Sequence, residues 1–187
     1  MSNHESPAAT APDVTGDVVR ATVEIAAPPE EVFEALTDPA QLEEWWGTPE
    51  SYRTGDWRTE PSPGGEWSVR TTAADDSEAR VQGEYRVVDP PHTLEFTWAA
   101  SWDDFAETTV RFDLEPTVVQ GVSGTRLTVT HSGLAALGSR ARAEASFAAG
   151  TSFAAGRSSA AGEGRVIDWP LLLASFGLAL REPLVLA

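Results

Sequence analysis

Cysteine and lysine are both absent from this chain of 187 residues. Without thiols it has no disulfide framework, no cysteine nucleophile and no thiolate metal site. Without lysine it has no phosphate-cradling GxxxxGK loop. Arginine supplies all 13 basic side chains against 29 Asp and Glu, which leaves a formal charge of −16 and a pI near 4.4. An all-arginine basic set is expected from GC-rich codons, with a salt-adapted surface as the alternative. So acidic a surface repels nucleic-acid phosphates and anionic membranes, and neither is expected as a partner. Long hydrophobic runs are also missing. The most apolar stretch, VIDWPLLLASFGLAL, is broken by Asp168 and Pro170 and is too short to span a bilayer. The opening MSNHESPAATAPDVTGD has neither a basic nor an apolar signal region, so residues 1–17 read as a disordered leader and the chain as cytoplasmic. Histidine is scarce as well: His4 lies in the leader, His92 in a turn, and His131 alone on a strand. With no HExxH and no paired histidines, no metal or cofactor is expected.

What the chain has is period-two alternation. In VVRATVEIA, Val19, Ala21, Val23 and Ile25 share one face. APPEEVFEALTDPAQLEEWW opens with prolines and acids suited to a helix start and breaks at Asp38-Pro39, which predicts two short helices. Strand patterns then recur, aligning Trp67 with Val69, Val81 with Gly83, Tyr85 and Val87, and Leu94 with Phe96 and Trp98. Val110 aligns with Phe112 and Leu114, and Leu127 with Val129 and His131. SPGG, DPPH and QGVSG separate them, and Tyr52 to Glu60 reads as a further strand. Gly83 on an inward face is expected to add room or allow a bulge. The wet faces hold Glu66, Glu84 and Glu95, with Arg70, Arg86 and Arg111 as their expected cross-strand partners. From Asp168 onward, Trp169, Leu172, Leu173, Phe176 and Leu180 recur at helical spacing, so a long terminal helix is expected to cover the dry face of the sheet.

The succession VEIAAPPEEVFEALTDPAQLEEWWG, PGGEWSVR, GEYRVVDPPHTLEFTW, TTVRFDLEP, GTRLTVTHSGL and a helix opening on DW resembles the START-like (SRPBCC) superfamily. Within it, the match is to the branch named for the activator of the heat-shock-protein ATPase, from about Val18 to Arg181. The resemblance implies an α+β helix-grip fold. In that fold a seven-stranded curved antiparallel sheet wraps a long C-terminal helix around a hydrophobic cavity, and two short helices after the first strand close one end. One domain over residues 18–183 is expected, with 184–187 as a tail. The PLVLA end can dock on its own sheet or on a second copy, which would make a homodimer. Residues 138–164 exceed the family's usual connection and contain a hexad repeated three times over 146–163 (SFAAGT, SFAAGR, SSAAGE), read as a low-complexity mobile loop.

The expected cavity lining is Trp45, Trp46, Trp57, Trp67, Tyr85, Phe96, Trp98, Phe112, His131, Trp169 and Phe176. Adjacent tryptophans at 45 and 46 point about 100° apart on a helix, so two such rings at a helix end suggest a second apolar surface nearby. One ring is expected in the core and the other at the cavity mouth. The function that follows is binding of a hydrophobic or aromatic small molecule with no catalytic residue assigned. A polyketide cyclase- or hydrolase-like reaction in the same cavity is the alternative, and it needs His131 plus a second buried polar group. The family's name adds a third reading, a chaperone-associated co-factor.

Overall fold

The computed structural model describes residues 10–15, 17–46, 52–73 and 75–136. Trp169 and Phe176, with the rest of the expected terminal helix, lie outside the described residues, as do the 138–164 insertion and the 184–187 tail. Among the described residues, eight strands form one antiparallel sheet. They are β1 Thr10–Thr15, β2 Val18–Ile25, β3 Tyr52–Thr59, β4 Glu66–Ala73, β5 Glu78–Asp89, β6 Thr93–Ala100, β7 Glu107–Val119 and β8 Val122–Ser132. Their lateral order is β1-β2-β8-β7-β6-β5-β4-β3. Thus β3 to β8 run as a meander, and β2 joins its end beside β8. Two helices, α1 Pro29–Ala35 and α2 Pro39–Trp45, carry the chain from β2 across to β3 at the far edge.

The helices begin where prolines fit the first turn. Pro29 opens α1 with Glu30 and Glu31 behind it, acids favourable to a helix N-terminus. Asp38 caps α2 by accepting a hydrogen bond from the Gln41 N–H at 3.0 Å. Alternation holds on most strands: Val23, Ile25, Trp67, Val69, Leu94, Phe96, Val110, Phe112, Leu127 and Val129 are all buried.

Three expectations need correction. The leader is not disordered throughout: Thr10–Thr15 is a strand, so the sheet has eight strands and the helices follow its second. The free edge of β2 supplies backbone partners from Thr15↔Val18 to Thr10↔Thr22, and an edge position needs no apolar face. The register shifts between Thr10 and Asp13, where Pro12 offers no N–H to the ladder. On β5 the bulge falls between Tyr85 and Val87, not at Gly83, and it brings Val88 against the core. Gly83 adds no room either. A Cβ there would sit 1.8 Å from the Thr97 carbonyl oxygen and 2.6 Å from Trp67 Nε1, because the Trp67 indole folds across the glycine.

The outer-face ion pairs follow the expectation in one case of three. Glu95 meets Arg111 across strands at 3.1 Å, and Asp113 shares that guanidinium. Glu84 pairs with Arg86 along its own strand. Arg70 binds Asp56 at 2.9 Å and Glu78 at 2.7 Å, not Glu66. The β7–β8 hairpin is longer than QGVSG suggests. Gln120 and Gly121 alone make the turn, both at positive φ, and Val119 pairs with Val122. This is the primed two-residue geometry that matches strand twist.

Candidate functional site

The inner face of β3 to β8 carries a continuous aromatic wall, built because inward positions of neighbouring strands fall in register. Trp67 on β4 meets Phe96 on β6 edge-on at 5.2 Å between centroids, and Phe96 meets Tyr85 on β5 at 6.0 Å and Phe112 on β7 at 5.8 Å. Four tryptophans close a ring of contacts beside them. Trp46 stacks on Trp98 at 5.8 Å and 11°, Trp98 meets Trp67 at 5.3 Å, Trp67 stacks on Trp57 at 6.2 Å, and Trp57 meets Trp46 at 5.4 Å. Trp45, Trp46, Trp57, Trp67, Tyr85, Phe96, Trp98, Phe112 and His131 are therefore brought together; Trp169 and Phe176 lie outside the described residues.

The paired tryptophans are both buried, at 3% and 4% exposure. Neither ring is left at an open mouth. Helix α2 ends between them: Trp45 is its last residue, and Trp46 leaves with extended backbone at ψ 95°. Trp45 thus stays on the helix face against α1, where its Nε1 donates to the Ala35 carbonyl at 2.9 Å. Trp46 swings over Trp98, and its own carbonyl accepts from Thr54 Oγ1 at 2.9 Å, fixing the turn to β3.

One polar pair interrupts this wall. His131 is 5% exposed and sits in the ladder between Val19 and Val110. Its Nε2 lies 2.8 Å from Thr108 Oγ1. The Thr108 hydroxyl donates to the Trp98 carbonyl at 3.2 Å, so its oxygen is left to accept and His131 Nε2 carries the hydrogen. Burial lowers the His131 pKa to about 4, so the imidazole is neutral at pH 7. Burial also raises the Tyr85 phenol above its ordinary range, which keeps it protonated. Thr108 is the second buried polar group that the sequence reading lacks. It lies two residues before Val110 in the same alternation as Phe112 and Leu114, so period two alone placed it inward.

Indole donors divide into two groups. Trp45 and Trp67 have carbonyl partners, the latter on Thr97 at 3.1 Å. Trp57 Nε1 and Trp102 Nε1 are buried with no hydrogen-bond partner among the described residues. Trp102 stands in the short 3₁₀ turn Ser101–Asp103 after β6 and packs against the same core. Among the described residues no group of three or more His, Asp and Glu could hold a metal ion, and no helix is long and apolar enough to cross a membrane.

The family model described as Activator of Hsp90 ATPase homolog 1-like protein matches residues 26–155. Among solved structures, the AHSA1 protein of Silicibacter pomeroyi is 30% identical, with 63% of this chain and 80% of that one aligned at a TM-score of 0.53. A protein of Nitrosomonas europaea is 18% identical over 88% of this chain and 94% of that one at a TM-score of 0.61. An AHSA1-like protein of Aeromonas hydrophila is 18% identical over 87% and 92% at 0.57. At those lower identities the likeness concerns the fold alone. It is that of a curved antiparallel sheet with few helices, the frame of a helix-grip domain. No curated protein matches the chain.

Proposed function

Because the chain belongs to the activator of Hsp90 ATPase homologue 1-like family of START-like proteins, we propose that its aromatic wall holds a flat, apolar small molecule carrying at least one hydrogen-bond acceptor. The observation that carries this reading is the half-buried Trp57 indole between Trp46 and Trp67, whose buried Nε1 has no hydrogen-bond partner among the described residues. A buried donor left without an acceptor costs about 1–3 kcal/mol. A ligand carbonyl or ether oxygen recovers that energy while its apolar body covers the neighbouring rings. Trp102 Nε1 is a second donor of the same kind. Rigid indoles suit the task because they present large apolar faces at little conformational cost and keep one polar edge.

The test uses two probes of similar shape, 2-acetylnaphthalene and 2-ethylnaphthalene, titrated against intrinsic tryptophan fluorescence. Both should quench saturably, and the ketone should bind about tenfold more tightly, a preference of about 1.4 kcal/mol. Trp57→Phe keeps an aromatic ring, removes the donor and should abolish that preference. Failure of both probes to saturate would sink the proposal, and so would a ketone preference unchanged in Trp57→Phe. Native mass spectrometry of protein purified from its own cells should show a bound small molecule of this class.

A second reading, proton-moving chemistry of the cyclase or hydrolase kind, is favoured by the His131–Thr108 pair. With Nε2 donating to Thr108, Nδ1 is the ring nitrogen that can take a proton, and its pKa near 4 calls for a substrate whose own charge raises it. That reading predicts turnover of the co-purified molecule on incubation, with His131→Gln stopping turnover while binding persists.

A further inference from the structure

The outer side of β3, β4 and β5 carries a second feature, which meets the aromatic wall only at Trp57 and Val69. A groove of about 630 Å³ runs over β3, β4 and β5, lined among others by Arg58, Ser68, Arg70, Arg80 and Ser101. We propose that it binds a phosphate-bearing small molecule, held by Arg58 and Arg80.

Ion pairing separates these arginines from their neighbours. Arg53, Arg70, Arg86, Arg111 and Arg126 each meet a carboxylate within 4.0 Å. Arg58 and Arg80 have no carboxylate partner among the described residues, although the chain carries 29 acids and both guanidiniums line one groove. Register explains how they share it. Arg58 stands opposite Ser68 and Ser68 opposite Gln82, while Arg80 stands opposite Arg70. Their Cα atoms are therefore two strands and two residues apart, about 12 Å from strand spacing and rise, with both side chains on the outer face. Arg70 lies between them, but Asp56 and Glu78 occupy its guanidinium and raise its pKa, the Glu78 hydrogen bond contributing most. Three arginines against two carboxylates leave the groove net positive in a chain of charge −16.

The remaining donors fit an oxyanion. Ser101 Oγ accepts the Arg80 N–H at 3.1 Å, so its hydroxyl hydrogen is available to donate. Ser68 presents a second hydroxyl on the same face. A carboxylate brings two oxygens and one charge, whereas a phosphoryl group or diphosphate brings more oxygens and more charge with which to engage two arginines and both hydroxyls. The local bend that shapes the groove comes from Asp56, held at φ 55° where the β3–β4 register shifts between Gly55 and Arg58.

Isothermal titration with inorganic diphosphate, in metal-free buffer at low salt, tests the proposal on the full chain. Saturable one-to-one binding is expected, weakening as salt rises and at least about tenfold weaker in Arg58→Gln/Arg80→Gln. Arg20→Gln removes another arginine that meets no carboxylate among the described residues, outside the groove, and should leave affinity within about twofold. Ser68→Asp places a carboxylate in the groove and should also abolish binding. Acetate should fail to compete. Absence of saturable binding to the wild-type chain would overturn the proposal, as would equal losses in Arg20→Gln and the double variant, which would mean diffuse ion association.

Discussion

At the residue scale the two strongest constraints are one histidine and one glycine. His131 has a folded pKa near 4 against an ordinary 6.5, lowered by burial. Between those values the unfolded chain binds a proton that the folded chain refuses. Stability from this site is therefore complete above pH 6.5 and is lost as pH falls toward 4, by up to about 3 kcal/mol. Urea unfolding at pH 7 and pH 4.5 should show that slope in the wild-type chain and a shallower one in His131→Phe, the difference isolating the histidine from titrating carboxylates. Gly83 is constrained by space: a methyl group would collide with the Thr97 carbonyl and with Trp67 Nε1. Gly83→Ala should destabilise by about 1–3 kcal/mol, measured as a lower urea midpoint at unchanged m value.

At the element scale the break that ends α2 decides how two adjacent tryptophans are both buried. Asp38 sets the start of that helix and Trp46 its end. Asp38→Ala removes the cap and should cost about 0.5–2 kcal/mol. Trp46→Ala deletes a ring that touches Trp45, Trp57 and Trp98, and should cost about 3–5 kcal/mol in thermal unfolding with a large change in near-UV circular dichroism. Strand β1 contributes differently, because its register with Val18 to Thr22 is a backbone matter. Deleting residues 1–15 should leave the domain folded but raise amide exchange in Val18–Thr22 about tenfold or more, since an edge without its partner opens locally.

At the scale of the whole molecule, the sheet separates two surfaces of opposite character. Among the described residues, one is a mainly aromatic wall that holds the His131–Thr108 pair; the other carries arginine–carboxylate contacts. The excess of acids over bases stores self-repulsion that salt screens, while the exposed ion pairs contribute little because water competes for them. Raising sodium chloride from 20 to about 300 mM should therefore raise the melting temperature, the screened repulsion outweighing the weakened pairs. A fall over that range would mean that the pairs around Arg111 and Arg126 contribute more than exposed pairs usually do.

The sequence by itself determined the meander from β3 to β8, the break at Asp38-Pro39 and the inward set from Trp67 to His131, because period-two burial and proline geometry are local properties. The resemblance of the ordered motifs carried the family, which no single motif could. Tertiary structure alone decided four things. β1 became a strand because a free backbone edge was waiting for it, a partner lying outside its own residues. Gly83 became a seat for an indole instead of a void, because which ring crosses a glycine depends on the strand opposite. Thr108 became the partner of His131 although they lie 23 positions apart, because the β7–β8 register and not spacing along the chain brings them to 2.8 Å. Among the described residues, Arg58 and Arg80 were left without carboxylates while Arg70 took two, since partner choice on a wet face is settled by small differences in geometry among nearly equal exposed charges.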